Sequence, residues 1–250
     1  MRATWALAVA LSAAAGLSAS TIGISASEFR QAYALQPNGR VIVQNLYGDV
    51  AITAWDRNEV LVEAFKKSAD PRRLDDARIV VDSSSDVLSI RTQYAGTDAE
   101  HPASVNYRIM VPRTANLENV KLINGGLMIS GLAGPVKASS VNGSIRAERL
   151  RGQTDLSTVN GQLDAGFERV GQGKPITLSS VNGPIRVWLP GNAAANVDAD
   201  NLSGGIESEF GHPWRGSSGH RLRTTVHHGG TPVHVHNVNG GITIRAAWRS

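Results

Sequence analysis

A short phrase, Val-Asn-Gly-x-Ile, recurs along the second half of the chain and constrains the fold more than any other feature. Counting looser versions, its copies begin at Ile123, Val141, Val159, Val181, Leu202 and Val238, with an outlying copy at Leu46. The six later starts are 18, 18, 22, 21 and 36 residues apart. Periods of this length are typical of stacked repeat architectures, in which each turn packs on its neighbours.

Each copy lies within a longer hydrophobic template. Counted from the Asn, apolar residues fall at positions −6, −4, −1, +3 and +5. Around Asn182 these are Ile176, Leu178, Val181, Ile185 and Val187. A period of two on both sides of the Asn-Gly predicts one short strand on each side.

Two geometries compete for this template. Asn-Gly between alternating strands is the usual signal for a type I′ hairpin. The alternative is the corner of a parallel β-solenoid, where the chain bends and each turn stacks on the next. Pro184 occupies the position whose N–H would close a two-residue hairpin, and proline has no N–H. A hairpin would also pair the apolar −1 position with the small or polar +2 position. The sequence therefore favours the corner.

The corner interpretation assigns a structural role to the repeated Asn and Gly residues. Stacked Asn side chains can hydrogen-bond along the stack, and both residue types tolerate the left-handed backbone of a sharp bend. The predicted corner residues are Asn124, Asn142, Gly143, Asn160, Gly161, Asn182, Gly183, Asn239 and Gly240. A repetitive polar binding strip is the functional alternative for the same residues.

Two further expectations follow from the stacking of successive turns about 4.8 Å apart. Positions −1, +3 and +5 should all point inward, so that replacing Val159 or Ile185 with Ala removes buried side chain. Position +4 should form an outward column that alternates in sign, which favours opposite charges on neighbouring strands. That column would read Arg146, Asp164, Arg186 and Glu207.

The first residues resemble an export signal. Arg2 is followed by an apolar run from Trp5 to Leu17 and then by small residues. This pattern predicts a secretory signal peptide over residues 1–26. The run is short for a membrane span, which needs about 20 residues, so we expect no transmembrane segment in the mature chain. The protein is then exported to the periplasm, the cell surface or the medium.

The rest of the chain divides into two predicted regions. Residues 27–115 contain strand-like runs without the repeat, and we expect an N-terminal antiparallel β cap, sandwich-like, that covers the end of the stack. Residues 116–250 form the β-solenoid, with a His-rich insertion near residues 211–237. The predicted fold is therefore all-β: a parallel β-solenoid, β-helix-like, with an N-terminal cap.

Composition excludes several kinds of site. The chain has no cysteine, which excludes disulfides, thiolate metal ligands and a cysteine nucleophile. Its formal net charge is only +4, its arginines are scattered and its aromatic content is 5%. These features argue against nucleic-acid binding. The glycines follow Asn at corners and do not open helices, so no phosphate-binding loop and no cofactor are expected.

Histidines supply one candidate metal site. His234 and His236 share one face of a predicted strand, and His227 and His228 precede a predicted turn. If the flanking segments pair, the four imidazoles could hold Zn²⁺, Ni²⁺ or Cu²⁺. The alternative is an exposed histidine loop that responds to pH.

Acidic residues supply a second candidate. An outward patch on one turn could bind Ca²⁺ or supply the paired carboxylates of a glycan-cleaving enzyme. Its members would be Asp198, Asp200, Glu207 and Glu209. The alternative is a solvated face that pairs with Arg186.

Two phrases outside the repeat, Trp55–Val60 and Tyr107–Pro112, add to the Val-Asn-Gly-x-Ile copies. Together they resemble a bacterial family of exported β-strand-repeat proteins that carries the label "putative adhesin" and is a domain of unknown function. The resemblance extends from about Leu35 to Arg245. It implies a non-enzymatic, adhesin-like role, in which the protein binds a glycan or a protein at the surface or in the envelope.

Two other functions remain open. One is a periplasmic component of the envelope, structural or signalling, that acts through a protein partner. The other is a carbohydrate-active β-helix enzyme. The family resemblance brings no catalytic motif, and fold alone does not imply function. We therefore expect the protein not to be an enzyme.

Overall fold

The protein is built almost entirely of β-strands. The structure is a computed structural model that describes residues 25–95, 103–211, 214–216 and 219–247. The described residues form 21 strands and a single-turn 3₁₀ helix, Pro71–Leu74. None of the helical structure in these ranges is long and apolar enough to cross a membrane. The predicted signal peptide lies outside the described residues except for Ser25 and Ala26, which belong to the first strand.

Ten strands form the first sheet. From one edge to the other they are β1 (Ser25–Ala34), β4 (Glu59–Ser68), β7 (Ser104–Pro112), β3 (Val50–Trp55), β9 (Leu127–Ser130), β11 (Ile145–Leu150), β13 (Leu163–Phe167), β15 (Ile185–Pro190), β21 (Ile242–Ala247) and β17 (Ile206–Ser208). Parallel pairing runs without interruption from β7 to β17.

Eleven strands form the second sheet. In order they are β18 (Trp214–Gly216), β19 (Gly219–Val226), β16 (Ala195–Ser203), β20 (Thr231–Asn239), β14 (Ile176–Asn182), β12 (Thr154–Asn160), β10 (Val136–Asn142), β8 (Asn116–Asn124), β2 (Arg40–Tyr47), β6 (Val87–Tyr94) and β5 (Ala77–Ser83). The inward side chains of both sheets belong to one continuous hydrophobic core.

Each Asn-Gly corner joins a strand of the second sheet to a strand of the first. β10 ends at Asn142, and β11 begins at Ile145 in the other sheet. Along the second sheet, Asn142 lies opposite Asn160 and Asn160 lies opposite Asn182, in parallel register. A hairpin would instead pair the two flanking strands with each other. The prediction of an all-β fold with parallel strands is confirmed.

The N-terminal region contributes to both sheets. β2 and β3 pair in parallel with β8 and β9, so the outlying copy at Leu46 forms one turn of the stack. Outside this turn lie antiparallel pairs, β1 with β4, β4 with β7 and β5 with β6. The division into cap and solenoid at residue 115 stays a prediction. Parallel pairing continues across that residue, since β2 and β3 precede it and pair with β8 and β9, which follow it.

The apolar residue before each Asn is exposed, and the expectation that it points inward was wrong. Val141, Val159 and Val181 are 37–40% exposed, and Leu202 is 60% exposed. The alternation established at −6 and −4 continues to −2, so −2 faces the core and −1 faces solvent. Ile185, at +3, is fully buried as expected.

Polar residues occupy the inward −2 position in every turn except that of Asn124, where the residue is Leu122. Thr158 donates a hydrogen bond from its hydroxyl to the carbonyl of Gly143, 3.0 Å away. The amides of Asn201 and Asn237 reach the carbonyls of Gly240 and Gly183 at 2.7 and 3.2 Å. These side chains satisfy corner carbonyls that would otherwise be buried without a partner.

The corner glycines stack in direct backbone contact. A Cβ placed on Gly143 would lie 1.9 Å from the Gly125 carbonyl oxygen, and one on Gly161 would lie 2.4 Å from that of Gly143. No side chain fits at such distances. Gly161 also has a φ of 156°, a conformation that L side chains rarely adopt. The glycine is therefore required mainly by the close approach of successive turns.

The last turn in the sequence is not the last turn of the stack. β20 lies between β14 and β16, and β21 lies between β15 and β17. The 36-residue spacing holds β18 and β19, which continue the second sheet beyond β16 in antiparallel register. The chain thus passes over one position in the stack, adds edge strands, and returns to fill that position.

This order changes the predicted charge column. Arg146, Asp164 and Arg186 are neighbours as expected, and the Arg146 guanidinium lies 3.6 Å from the Asp164 carboxylate. The last step was wrong: Thr243 of β21 separates Arg186 from Glu207. The alternation of charge therefore ends at β15.

Burial predicts unequal costs for two substitutions in the repeat. Ile185→Ala should lower the free energy of unfolding by about 2–4 kcal/mol, because it leaves a cavity in the core. Val159→Ala should lower it by less than about 1 kcal/mol, since its side chain is already partly in water. Urea denaturation measures both values. Equal losses would contradict the outward placement of the −1 residue.

Close approach predicts that the corner glycines cannot be replaced. Gly161→Ala should cost at least about 1–3 kcal/mol, because the neighbouring carbonyl must move. A Cβ placed on Gly191 would meet no atom within 4 Å, so this glycine is the matched control. Gly191→Ala should leave stability unchanged or raise it by up to about 1 kcal/mol. Thermal melts of the two variants test the difference.

Candidate functional site

The outer face of the first sheet contains a cavity of about 540 Å³. It lies over β4, β7, β3, β9 and β11, at the ends of these strands nearest the corners. The side chains that give it chemical character are Phe65, Lys67, Arg108, Met128 and Arg146. We call this cavity the groove.

Strand alternation directs these side chains outward. In β7, Val105, Tyr107 and Ile109 are buried, so Arg108 between them faces solvent. In β9, Leu127 and Ile129 are buried, and Met128 is 51% exposed. The groove thus lies on the solvent side of strands whose other side packs in the core.

A small residue makes the space. Ala51 of β3 is the register partner of both Arg108 and Met128. Its methyl group leaves a depression between two long side chains. Gly126 also lines the groove. The base of the groove is therefore mostly backbone and small apolar groups.

The walls combine cations with apolar surface. The Arg108 guanidinium carbon lies 5.3 Å from the centre of the Phe65 ring, within range of a cation–π contact. Met128 adds a flexible thioether on the other side of Ala51. Such walls can pair with a negative group and pack against an apolar one.

The groove carries a net positive charge. Its charged residues are Lys67, Arg108, Arg146 and Asp49. Asp49 accepts a hydrogen bond from the Gly126 backbone N–H at 2.7 Å. Arg146 is shared with Asp164 and Glu148, at 3.6 and 4.0 Å. Among the ion pairs of the described residues, neither Lys67 nor Arg108 has a carboxylate partner.

A second cavity of about 350 Å³ continues the groove beyond Arg146. Trp188 of β15 and Glu148 of β11 line it, and Gly166 of β13 lies between them without a side chain. Asp164, which is only 6% exposed, also contributes. From β4 to β15 is six strand spacings, or about 29 Å. The two cavities together can accept an extended ligand.

The predicted corner residues form a hydrogen-bonded ladder. Each Asn donates from its side-chain nitrogen to the side-chain oxygen of the Asn in the adjacent turn, at 2.9–3.0 Å. The donor–acceptor pairs are Asn142–Asn124, Asn160–Asn142, Asn182–Asn160 and Asn239–Asn182. Gly143, Gly161, Gly183 and Gly240 stack beside them. These contacts are internal to the stack.

The four candidate histidines lie in two places. His227 and His228 are at the turn between β19 and β20, where His227 has a φ of 54° and its Nδ1 lies 3.0 Å from the Ala193 carbonyl oxygen. His234 and His236 are exposed on β20. Within the described ranges, no group of three or more His, Cys, Asp or Glu side chains is arranged to hold a metal ion. Metal binding at these histidines stays a prediction.

The four acidic residues do not form one patch. Asp198 and Asp200 lie on the second sheet, where each is paired with an arginine: Asp198 with Arg223 at 3.1 Å, and Asp200 with Arg221. Glu207 and Glu209 follow at the edge of the first sheet, and Glu209 accepts a hydrogen bond from the Ala246 backbone. The expected pairing with Arg186 is also absent from the ion pairs of the described residues.

Sequence reasoning missed the groove. Phe65, Lys67 and Arg108 lie outside the Val-Asn-Gly-x-Ile copies, and although Arg108 belongs to the phrase Tyr107–Pro112, nothing in the sequence links the three to one another. The alternation of each strand shows that they face outward, but it cannot show that β4, β7 and β3 are neighbours. That information exists only in the strand pairing.

Comparison with known protein families shows to which family this chain belongs. The profile of the family described as Toastrack DUF4097 matches residues 37–245. The chain belongs to this family. The match covers the outlying copy at Leu46 and every later repeat. The resemblance inferred from the repeats is confirmed.

Solved structures resemble this chain at low sequence identity. A structure from Clostridium sporogenes, called a putative cell adhesion protein, has a TM-score of 0.51 at 10% identity and covers 88% of this chain and 100% of its own. A putative adhesin from Bacteroides fragilis has a TM-score of 0.46 at 10% identity, with 88% and 97% of the two chains covered. No functionally curated protein matches the sequence.

Proposed function

We propose that this Toastrack protein is an exported, non-enzymatic, adhesin-like protein that binds an acidic glycan in the groove. One observation carries the proposal: the groove places two cations beside two apolar side chains, Phe65 and Met128. The cations are Lys67 and Arg108, and neither has a carboxylate partner in the described structure. This combination offers a carboxylate two cations and offers a sugar ring an apolar face.

The shape of the surface favours a glycan. Guanidinium groups bind carboxylates through charge-assisted, often bidentate hydrogen bonds. Phe65 and Trp188 lie at opposite ends of the joined cavities, with Arg108 and Arg146 between them. An extended polysaccharide could pack on both aromatic side chains while its acidic groups meet the arginines.

Binding without catalysis is supported by the placement of the carboxylates. Of the four acidic candidates, Asp198 and Asp200 form ion pairs with arginines on the second sheet, whereas Glu207 and Glu209 lie at the edge of the first sheet. The four therefore do not face one another across a single site, as the two carboxylates of a glycosidase do. The cell-adhesion name of the Clostridium sporogenes protein agrees with a binding role.

A charge substitution tests the groove. Arg108→Gln should weaken binding of polygalacturonate by about tenfold or more, the loss expected when a hydrogen bond to a charged group is removed. Added salt should weaken wild-type binding because the contact is electrostatic. Isothermal titration calorimetry measures both effects, with a neutral galactan as the ligand control.

Lys121 provides the matched control. It is an exposed cation on β8 of the second sheet, and it lines neither cavity. Lys121→Gln should leave the affinity unchanged. An equal loss in both variants would show non-specific attraction and contradict the groove. Release of new reducing ends from the polysaccharide would favour the enzyme alternative.

Export is tested in the native host by protease treatment of intact cells and by osmotic shock. An adhesin should be degraded on intact cells, because it is exposed at the surface. Protection in intact cells together with release by osmotic shock would contradict the adhesin role. It would favour the alternative of a periplasmic component that acts through a protein partner.

A further inference from the structure

A line of exposed aliphatic side chains crosses the corner edge of the stack. Each member is the −1 residue of one turn, whose apolar character had suggested a place in the core. In stacking order the line runs Leu46, Ile123, Val141, Val159, Val181, Val238 and Leu202. We call it the ridge.

The ridge is regular and accessible. Six of its seven members are 37–60% exposed, and Val238 is partly exposed. Neighbouring members are one strand spacing apart, about 4.8 Å, so the ridge is about 29 Å long. No described part of the fold buries these six side chains. A continuous exposed apolar line of this kind marks an interaction surface.

The surroundings of the ridge are almost free of charge. The four residues from −1 to +2 of the seven turns number 28, and one of them, Asp49, is charged. Charged residues make up 18% of the whole chain, which would give about five in such a set. The Asp49 carboxylate is bound to the Gly126 N–H. Two identical edges without charge can pack together without electrostatic repulsion. The same edge has no charge with which to attract an acidic or basic partner.

The size of the edge also fits a second copy. A stable protein–protein interface uses about 20–30 residues on each side. A second copy brings a ridge with the same spacing, so side chains of one ridge can fit between those of the other along its full length. Such self-complementary contact is the rule in two-fold dimers.

We propose that the ridge is the interface of a two-fold symmetric dimer of this protein. The two ridges can pack antiparallel or parallel to each other, and a dyad relates the two copies in either case. The dimer itself does not depend on what the groove binds.

Cysteine substitutions test the interface directly, because the natural chain has no cysteine. Val159 is the fourth of seven ridge members and lies at the dyad in either ridge orientation. Val159→Cys should form a disulfide-linked dimer on mild oxidation. Thr177→Cys should not, since Thr177 is exposed on the outer face of β14, away from the ridge. Non-reducing electrophoresis gives the result.

The ends of the ridge report its orientation. In the antiparallel dimer, Leu46→Cys and Leu202→Cys should cross-link to each other when the two variants are mixed, and neither should cross-link alone. In the parallel dimer, each should cross-link to itself. Either pattern supports the proposal, because both require ridge-to-ridge contact within disulfide reach.

A charge placed on the ridge gives a second test without cysteine. Val159→Glu should shift the protein from dimer to monomer in sedimentation equilibrium, because it buries an unpaired charge in the interface. Thr177→Glu should leave the dimer intact. Unchanged circular dichroism and melting temperature of the Val159→Glu monomer would show that the fold is retained.

Three results would overturn the proposal. One is a wild-type protein that stays monomeric at every concentration used in sedimentation equilibrium, together with a Val159→Cys variant that cross-links no faster than Thr177→Cys. Another is a dimer that Val159→Glu leaves unchanged. The third is a monomer that binds neutral phosphatidylcholine vesicles and loses that binding in Val159→Glu, which would assign the ridge to a lipid surface.

Discussion

The close approach of successive turns at the Asn-Gly corner governs the rest of this structure. Each corner glycine lies against the carbonyl of the glycine in the next turn, at a distance that leaves no room for a Cβ. Hydrogen bonds reinforce the same edge. The Asn side chains form a ladder along it, and inward side chains, the Thr158 hydroxyl and the Asn201 and Asn237 amides, donate to the corner carbonyls. Steric exclusion and polar satisfaction together hold the turns in one register, without disulfides.

That register turns each outward repeat position into a column on the surface. Where the column holds the same residue type in every turn, the result is uniform, as in the ridge. Where Ala51 stands between Arg108 and Met128, the column is interrupted and a cavity opens. The candidate binding groove and the proposed interface therefore arise from one stack, on its face and on its edge, and can act independently.

The sequence predicted the corners well because their residues are locally determined. Asn-Gly with Pro184 and flanking alternation is a local signal, and the parallel register agrees with it. The burial of Val159 was predicted wrongly because apolar character was treated as evidence of burial. The alternation from Ile176 and Leu178 already places Val181 outside, so strand geometry was the better guide than hydrophobicity. The groove had no such local signal, since Phe65 and Met128 are 63 residues apart in sequence.

The sequence by itself determined the all-β class, the parallel corners and the family, because these depend on short patterns repeated along the chain. Only the tertiary structure decided the order of the turns. The return of β20 and β21 into the interior of the stack, with Thr243 between Arg186 and Glu207, depends on pairing between distant strands. The same long-range pairing assembled the groove and aligned the ridge. Strand neighbours are selected by the packing of the whole core, and no local pattern specifies them.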